Sequence, residues 1–196
     1  MKRVAIFMAG GRGERFWPMS TPSHPKHLLK IFGGKSLMQL AAKRVRGAVD
    51  DVRVITSRPQ EPLMRKTLKA FGAGKILAEP QGRDTAAAVA LAARWMQRDF
   101  GDDSLIALLP ADHFISNTRG FRKTLEEAFA LAEKTQGLIT IGIPPSRPAT
   151  GYGYLEKGEE TGGAFRVLRF KEKPDDPTAR EYLSSGKYLW NAGIFV

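Results

Sequence analysis

The stretch VAIFMAGGRGERFWPMS, Val4 to Ser20, sets an apolar run directly against a loop carrying three glycines and three charged residues. The run Val4 to Met8 is long enough for a strand, and glycine lets the backbone behind it take positive φ and come close to a ligand. Arg12 and Arg15 ride on the same turn, so the pattern reads as an anion cradle delivered by a buried strand. A plain strand-to-loop glycine turn is the competing reading. Two familiar phosphate motifs do not fit. The dinucleotide pattern G-x-G-x-x-G needs a glycine where Phe16 stands. A Walker A loop ending at Gly34-Lys35-Ser36 lacks its upstream glycine, because Leu29 holds that position and HLLKIF around it reads as a strand.

Outward from this stretch, short apolar runs recur at Val52 to Ile55, Lys75 to Ala78, Ser104 to Leu109 and Leu138 to Ile141. Between them, Leu37 to Val45, Pro62 to Phe71, Thr85 to Gln97 and Phe121 to Lys134 carry apolar residues at helical spacing. Alternating strands and helices predict an α/β fold: a Rossmann-like, mostly parallel sheet flanked by helices, with strands buried on both faces. After Gly142 the rhythm breaks at Pro144, Pro145 and Pro148. TGYGYLEKG and FRVLRFKEKP then read as a small antiparallel excursion, Pro177 to Ser185 as a helix and LWNAGIFV as a last strand.

With 196 residues, 42% of them hydrophobic, the chain can bury one sizeable core. It has no cysteine, which excludes a disulfide framework or thiolate metal site, and its three histidines form no H-x-x-x-H pair for zinc. No window approaches a membrane span and the first apolar run is too short for a signal peptide, so a cytoplasmic protein without a membrane partner is expected. The formal net charge of +11 favours an acidic partner. Its basic residues are dispersed and not interleaved with Trp and Tyr, which argues for phosphorylated small molecules over nucleic acid and for a mostly solvated basic surface.

Ligands of open α/β sheets sit at the carboxyl ends of strands. That rim collects Gly10, Gly11, Gly13 and Arg15 after the first strand, Glu79, Gly82, Asp84 and Thr85 after the third, and Asp112 after the fourth. Asp112 behind an apolar run suits a bound cation, magnesium rather than zinc, or else a turn-capping carboxylate. Asp84 or Thr85 suits either a helix cap or a ligand edge. Lys26 is held by Pro25 close to the glycine loop, and Glu172-Lys173 offers a fixed cation or an ordinary surface ion pair.

Taken in order, these segments resemble the sugar-nucleotide pyrophosphorylases, and among them the mannose-1-phosphate guanylyltransferases. The likeness runs from Val4 to Val196. It rests on GGRGERFWPMS against G-G-x-G-x-R-x-x-P, PKHLL, EPQGRDTAAA, LPADH, TGYGYLEKG, FKEKP and WNAGIF. The sequence departs from the usual pattern at Phe16-Trp17, at His27 where Gln is common, and at Ala192 where Ser is frequent.

The resemblance implies a nucleotidyltransferase domain over 1–196, with a nucleotide-binding half at 1–142 and a partial sugar-phosphate half at 143–196, C-terminally truncated relative to the family. The implied reaction moves a guanylyl group from GTP to mannose 1-phosphate with Mg²⁺. Arg15, Lys26 and Lys173 become the catalytic cations. Gly10, Gly11, Gly13, Glu79, Gly82, Asp84, Thr85 and Asp112 become nucleotide-binding residues, Asp112 also the metal ligand, and Gly153, Glu172 and Asn191 contact the sugar phosphate. A homodimer is the candidate assembly. A glucose-1-phosphate uridylyl- or thymidylyltransferase, or a non-catalytic nucleotide-binding fragment, is the alternative.

Overall fold

The computed structural model describes residues 1–11, 13, 16–21, 24–69, 75–82 and 84–196, with Asp84 described by its backbone alone. The chain forms two compact units, Met1–Ile139 together with Phe195–Val196, and Thr140–Ile194.

In the first unit the central strand is β1 (Lys2–Ala9), whose Val4, Ala5, Ile6 and Phe7 are completely buried. A strand covered on both faces has no reason to alternate polar with apolar residues, which explains the continuous run. Parallel neighbours flank it: β2 (Asp51–Ser57) on one side, followed outward by β3 (Ile76–Glu79), and β4 (Ser104–Pro110) on the other. Phe195 pairs antiparallel with Leu108 on the far side of β4. The chain therefore travels from β1 outward to β3 and returns to β1's opposite flank at β4. That reversal makes the carboxyl ends of β1 and β4 the topological switch point, where a crevice for a ligand opens.

Helices α1 (Leu37–Val45), α2 (Glu61–Leu68), α3 (Asp84–Phe100) and α4 (Thr118–Thr135) connect the strands. α1 starts in a capping box, Ser36 accepting from Gln39 N and Gln39 from Ser36 N. Its last carbonyls are met by Arg122 of α4, which donates through Nε to Arg44 O at 2.7 Å and through Nη2 to Lys43 O at 3.2 Å. α3 lays Ala92, Trp95 and Met96 against Val4, Ile6, Ile55 and Leu108.

One expectation needs correction. HLLKIF is not a strand: Lys26–Leu28 form a 3-10 turn, with Leu28 N donating to Pro25 O at 2.9 Å. Pro25 fixes φ at −67° where the turn begins, and His27 goes inward to 1% exposure. The mostly solvated basic surface has a buried exception. Arg53 on β2 is 4% exposed, bonded to Asp51 at 3.1 Å and to Asp99, with its guanidinium 4.8 Å and 4.7 Å from the Trp95 and Phe100 ring centres. Asp51 opens β2, so this network staples the amino ends of the strands, away from the switch point.

The second unit is antiparallel. β6 (Tyr154–Thr161) and β7 (Ala164–Lys171) form a hairpin through Gly162 and Gly163, whose φ values of 62° and 81° match the twist that a two-residue turn requires. β8 (Tyr188–Phe195) pairs with β6, and β5 (Thr140–Ile143) pairs with β8. α5 (Asp176–Ser185) is capped by Asp175, which accepts from Thr178 N at 3.0 Å, and closes a small core of Tyr154, Ala179 and Tyr182.

Candidate active site

In the first unit the switch point brings several expected residues together. Ala111 N donates to Met8 O at 3.2 Å, extending the β1–β4 pairing up to the loop that bears Asp112. There the Asp112 carboxylate pairs with Lys26 Nζ, with about a quarter of each side chain exposed. Burial pushes the Asp112 carboxyl up, but the hydrogen bond and charge of Lys26, together with the charge of His113 and a backbone hydrogen bond, outweigh it and hold it below its ordinary range.

The glycines have distinct jobs. Gly13 is the one with positive φ, +74°, and a Cβ there would stand 3.2 Å from Ser20 Oγ and 3.3 Å from Lys26 Cβ and Cγ. Its carbonyl accepts from Phe16 N at 2.9 Å and from Ser20 Oγ. Gly13 thus folds the loop onto the stem of Lys26. At Gly10 a Cβ would meet Glu79 Oε2 at 2.8 Å, so this glycine makes room for the carboxylate at the end of β3, which burial pushes up. Gly11 is outside the positive-φ region, and no described atom lies within 4 Å of where its Cβ would be. Its carbonyl is approached by Gln60 Nε2 at 3.4 Å. The positive φ expected of the glycine loop therefore belongs to Gly13. Gly82 is exposed, and Thr85 lies exposed in the first turn of α3. Arg15 and the Asp84 side chain lie outside the described residues.

In the second unit Gly153, Glu172, Lys173 and Asn191 gather. A Cβ at Gly153 would stand 2.7 Å from Phe170 Cζ and 3.0 Å from Glu172 Oε2. Gly153 O accepts from Asn191 N at 2.8 Å, and Tyr152 O accepts from Lys173 N at 3.2 Å. Lys173 has φ of 40°, a left-handed conformation that costs a lysine roughly 1 to 2 kcal/mol. Strain held at such a place is common in ligand clamps. Its ammonium lies 2.8 Å from Glu172 Oε1, both side chains being more than half exposed, so the pair itself adds little stability.

Three further side chains stand at these sites. Arg44 is 4% exposed, stands over Phe121 and donates through Nη1 to His113 O at 3.3 Å, behind the Asp112 turn. Arg147 stands 5.6 Å and 5.9 Å from the Tyr152 and Trp190 ring centres, a cation carried on the loop before Tyr152. Nothing in a single sequence separates either from the many surface arginines. His27 did have a signal, its place beside Lys26.

Burial pushes His27 down from 6.5 to about 4, and its Nε2 is buried without a hydrogen-bond partner among the described residues. A base whose folded pKa is depressed binds fewer protons than in the unfolded chain. Stability is therefore whole above about pH 6.5 and falls as pH drops toward 4, by at most about 3 kcal/mol. Changing His27 to Gln should flatten this acid limb in denaturant melts between pH 7 and 4. An unchanged slope would show that the imidazole is not the group responsible.

The pattern of the nucleotidyl transferase family matches residues 4–196. The chain belongs to that family. Among relatives, the Escherichia coli mannose-1-phosphate guanylyltransferase is 40% identical over 98% of this chain, and that of Salmonella muenchen is 42% identical over 100% of it. The Xanthomonas campestris xanthan biosynthesis protein XanB is 40% identical over 98%. The chain spans 42%, 42% and 41% of these three proteins' own lengths. A crystal structure named mannose-1-phosphate geranyltransferase, from Thermus thermophilus, superposes with a TM-score of 0.90 at 37% identity, covering all of this chain and 57% of that one. UDP-glucose pyrophosphorylase complexed with UDP-glucose shares the fold, with a TM-score of 0.70 at 19% identity. Among the described residues no helix is long and apolar enough to cross a membrane.

Proposed function

We propose that this nucleotidyl transferase chain carries the chemistry that transfers a guanylyl group from GTP to mannose 1-phosphate, giving GDP-mannose and pyrophosphate. The observation that carries this reading is the Lys26–Asp112 pair at the switch point, in a chain about 40% identical along almost its whole length to guanylyltransferases. One phosphate oxygen of the sugar forms a bond to the α-phosphorus of GTP while the bond from that phosphorus to the β-phosphate oxygen breaks. The electron pair leaves with pyrophosphate. A phosphate monoester has its second pKa at about 6, so the nucleophile is already a dianion and no general base is needed. What remains is repulsion between anions, which fixed cations relieve.

Lys26 is assigned to the leaving pyrophosphate, Arg15 to the nucleotide phosphates and Lys173 to the sugar phosphate. Gly10, Gly11, Gly13, Glu79, Gly82, Asp84 and Thr85 are assigned to the nucleotide, and Gly153, Glu172 and Asn191 to the sugar phosphate.

The donor set at Asp112 fits magnesium. Among the described residues no three His, Asp or Glu side chains gather as a protein cage, but Asp112 is one partly exposed carboxylate, free to hold a metal once Lys26 turns from it to the phosphates. Mg²⁺ takes one or two carboxylates and completes its shell with phosphate oxygens and water. Bound there, it would neutralise charge on the triphosphate. The protein is read as cytoplasmic, and a homodimer as its assembly.

Pyrophosphate release measured with each pairing of GTP, dTTP or UTP with mannose 1-phosphate or glucose 1-phosphate should be fastest for GTP with mannose 1-phosphate. Equal or faster turnover with dTTP or UTP and glucose 1-phosphate would overturn the choice of substrates.

A further inference from the structure

Asn191 on β8 holds its amide in one sense. Its Oδ1 accepts from Gly193 N at 3.0 Å and from Thr140 Oγ1 at 3.2 Å. A backbone N–H can only donate, so the atom facing it must be the amide oxygen, and a flipped amide would set two donors against each other. Gly193 reaches this position with a φ of 66°. Thr140, on β5, also points its hydroxyl at Ile194 O, again 3.2 Å away, so its single proton is shared between Asn191 and the backbone of β8. Both amide protons of Asn191 Nδ2 are left over, and among the described residues none supplies an acceptor for them. A half-buried amide with its acceptor engaged and both donors free is suited to a ligand rich in acceptors, as a sugar's hydroxyls are.

We propose that Thr140 is a positioning residue for the sugar-phosphate substrate: it ties the Asn191 amide oxygen to β5 and so aims the Nδ2 donors at the sugar. The inference rests on the assignment of Asn191 to the sugar given above. Gly193 is only two residues from Asn191 and follows it through local motion, whereas Thr140 belongs to another strand. Losing the Thr140 contact frees the side chain to turn even while the Gly193 bond persists.

The test uses Thr140→Val, which keeps shape but has no hydroxyl, Thr140→Ser, which keeps the hydroxyl, and Asn191→Ala, alone and combined with Thr140→Val. Thr140→Val should raise the KM for mannose 1-phosphate about fivefold, as expected for one hydrogen bond, with the KM for GTP and kcat unchanged. Thr140→Ser should restore it. Asn191→Ala should raise the same KM at least as far, and adding Thr140→Val to it should cost nothing more, because the residue it acts through is gone. An Asn191→Ala variant with normal KM overturns the sugar assignment itself. An impaired Asn191→Ala beside a normal Thr140→Val overturns only the role of Thr140. Equal impairment in Val and Ser, or an added cost in the double variant, also overturns it, since the hydroxyl would then not be acting through Asn191.

Discussion

Replacing Lys26 by glutamine is expected to cut turnover by about 10² or more, because one preorganised charge contact contributes roughly 2.7 to 4 kcal/mol in a transition state. The same change acts on Asp112. With the ammonium present, the folded pKa of Asp112 lies below its ordinary value, so the pair adds stability above the usual carboxylate range, and that stability is lost as pH falls through the folded pKa. Without Lys26, desolvation is the largest single influence left and pushes the carboxyl up, against the charge of His113 and a backbone hydrogen bond. The sign is then expected to reverse. In the Lys26→Gln variant, ionising Asp112 costs stability as pH rises through the ordinary carboxylate range, so the protein should melt lower than wild type at pH 8 and approach it at pH 4. Combining Lys26→Gln with Asp112→Asn should recover the lost stability at pH 8 but not the rate. Asp112→Asn alone should also lose most turnover and weaken the dependence on Mg²⁺. A Lys26→Gln variant with a near-normal rate, or a double variant no more stable than the single one, would remove this pair from the site.

Much of this was legible because α/β strands announce themselves. The run Val4 to Met8 lies within β1, and the residues after β1, β3 and β4 do stand at carboxyl ends of parallel strands. What periodicity could not supply is strand order. Lys26 and Asp112 are far apart in the chain, and they meet only because β4 returns to the flank of β1 opposite β2. The failure at HLLKIF has a similar cause. Apolar residues on either side of Lys30 suit a strand or a turn equally, and what decides is the restriction at Pro25 together with the burial of His27. Glycines were legible as a group but not singly, since φ separates Gly13 from Gly11 and only packing shows why Gly10 lies against Glu79. Buried cations such as Arg44 and Arg53 are invisible for a related reason: the rings that cover them arrive from other elements.

Among glycines of the second unit, Gly153 is the one placed in the proposed sugar-phosphate site. A methyl group at this position would stand 2.7 Å from Phe170 Cζ and 2.9 Å from Phe170 Cε2, closer than real Cβ contacts allow, and 3.0 Å from Glu172 Oε2, tighter than most. Phe170 is half exposed, and both contacts involve the far ends of side chains, so the ring and the carboxylate can swing away without unfolding the hairpin. Melting temperature should fall by only a few degrees, the cost of modest overpacking. Substrate geometry should suffer far more. Glu172 moves directly, Lys173 follows because its backbone is tied to Tyr152 O, and Asn191 is tied by its own N–H to Gly153 O. A misplacement of this kind can cost about 10² in rate when it reaches positioning groups. Gly153→Ala should therefore raise the KM for mannose 1-phosphate by about tenfold or more, up to about 10² in kcat/KM, while GTP affinity measured by calorimetry stays near wild type. If instead the variant melts far lower but the folded fraction binds the sugar phosphate normally, Gly153 serves only the hairpin, and the cluster of Glu172, Lys173 and Asn191 around it is structural.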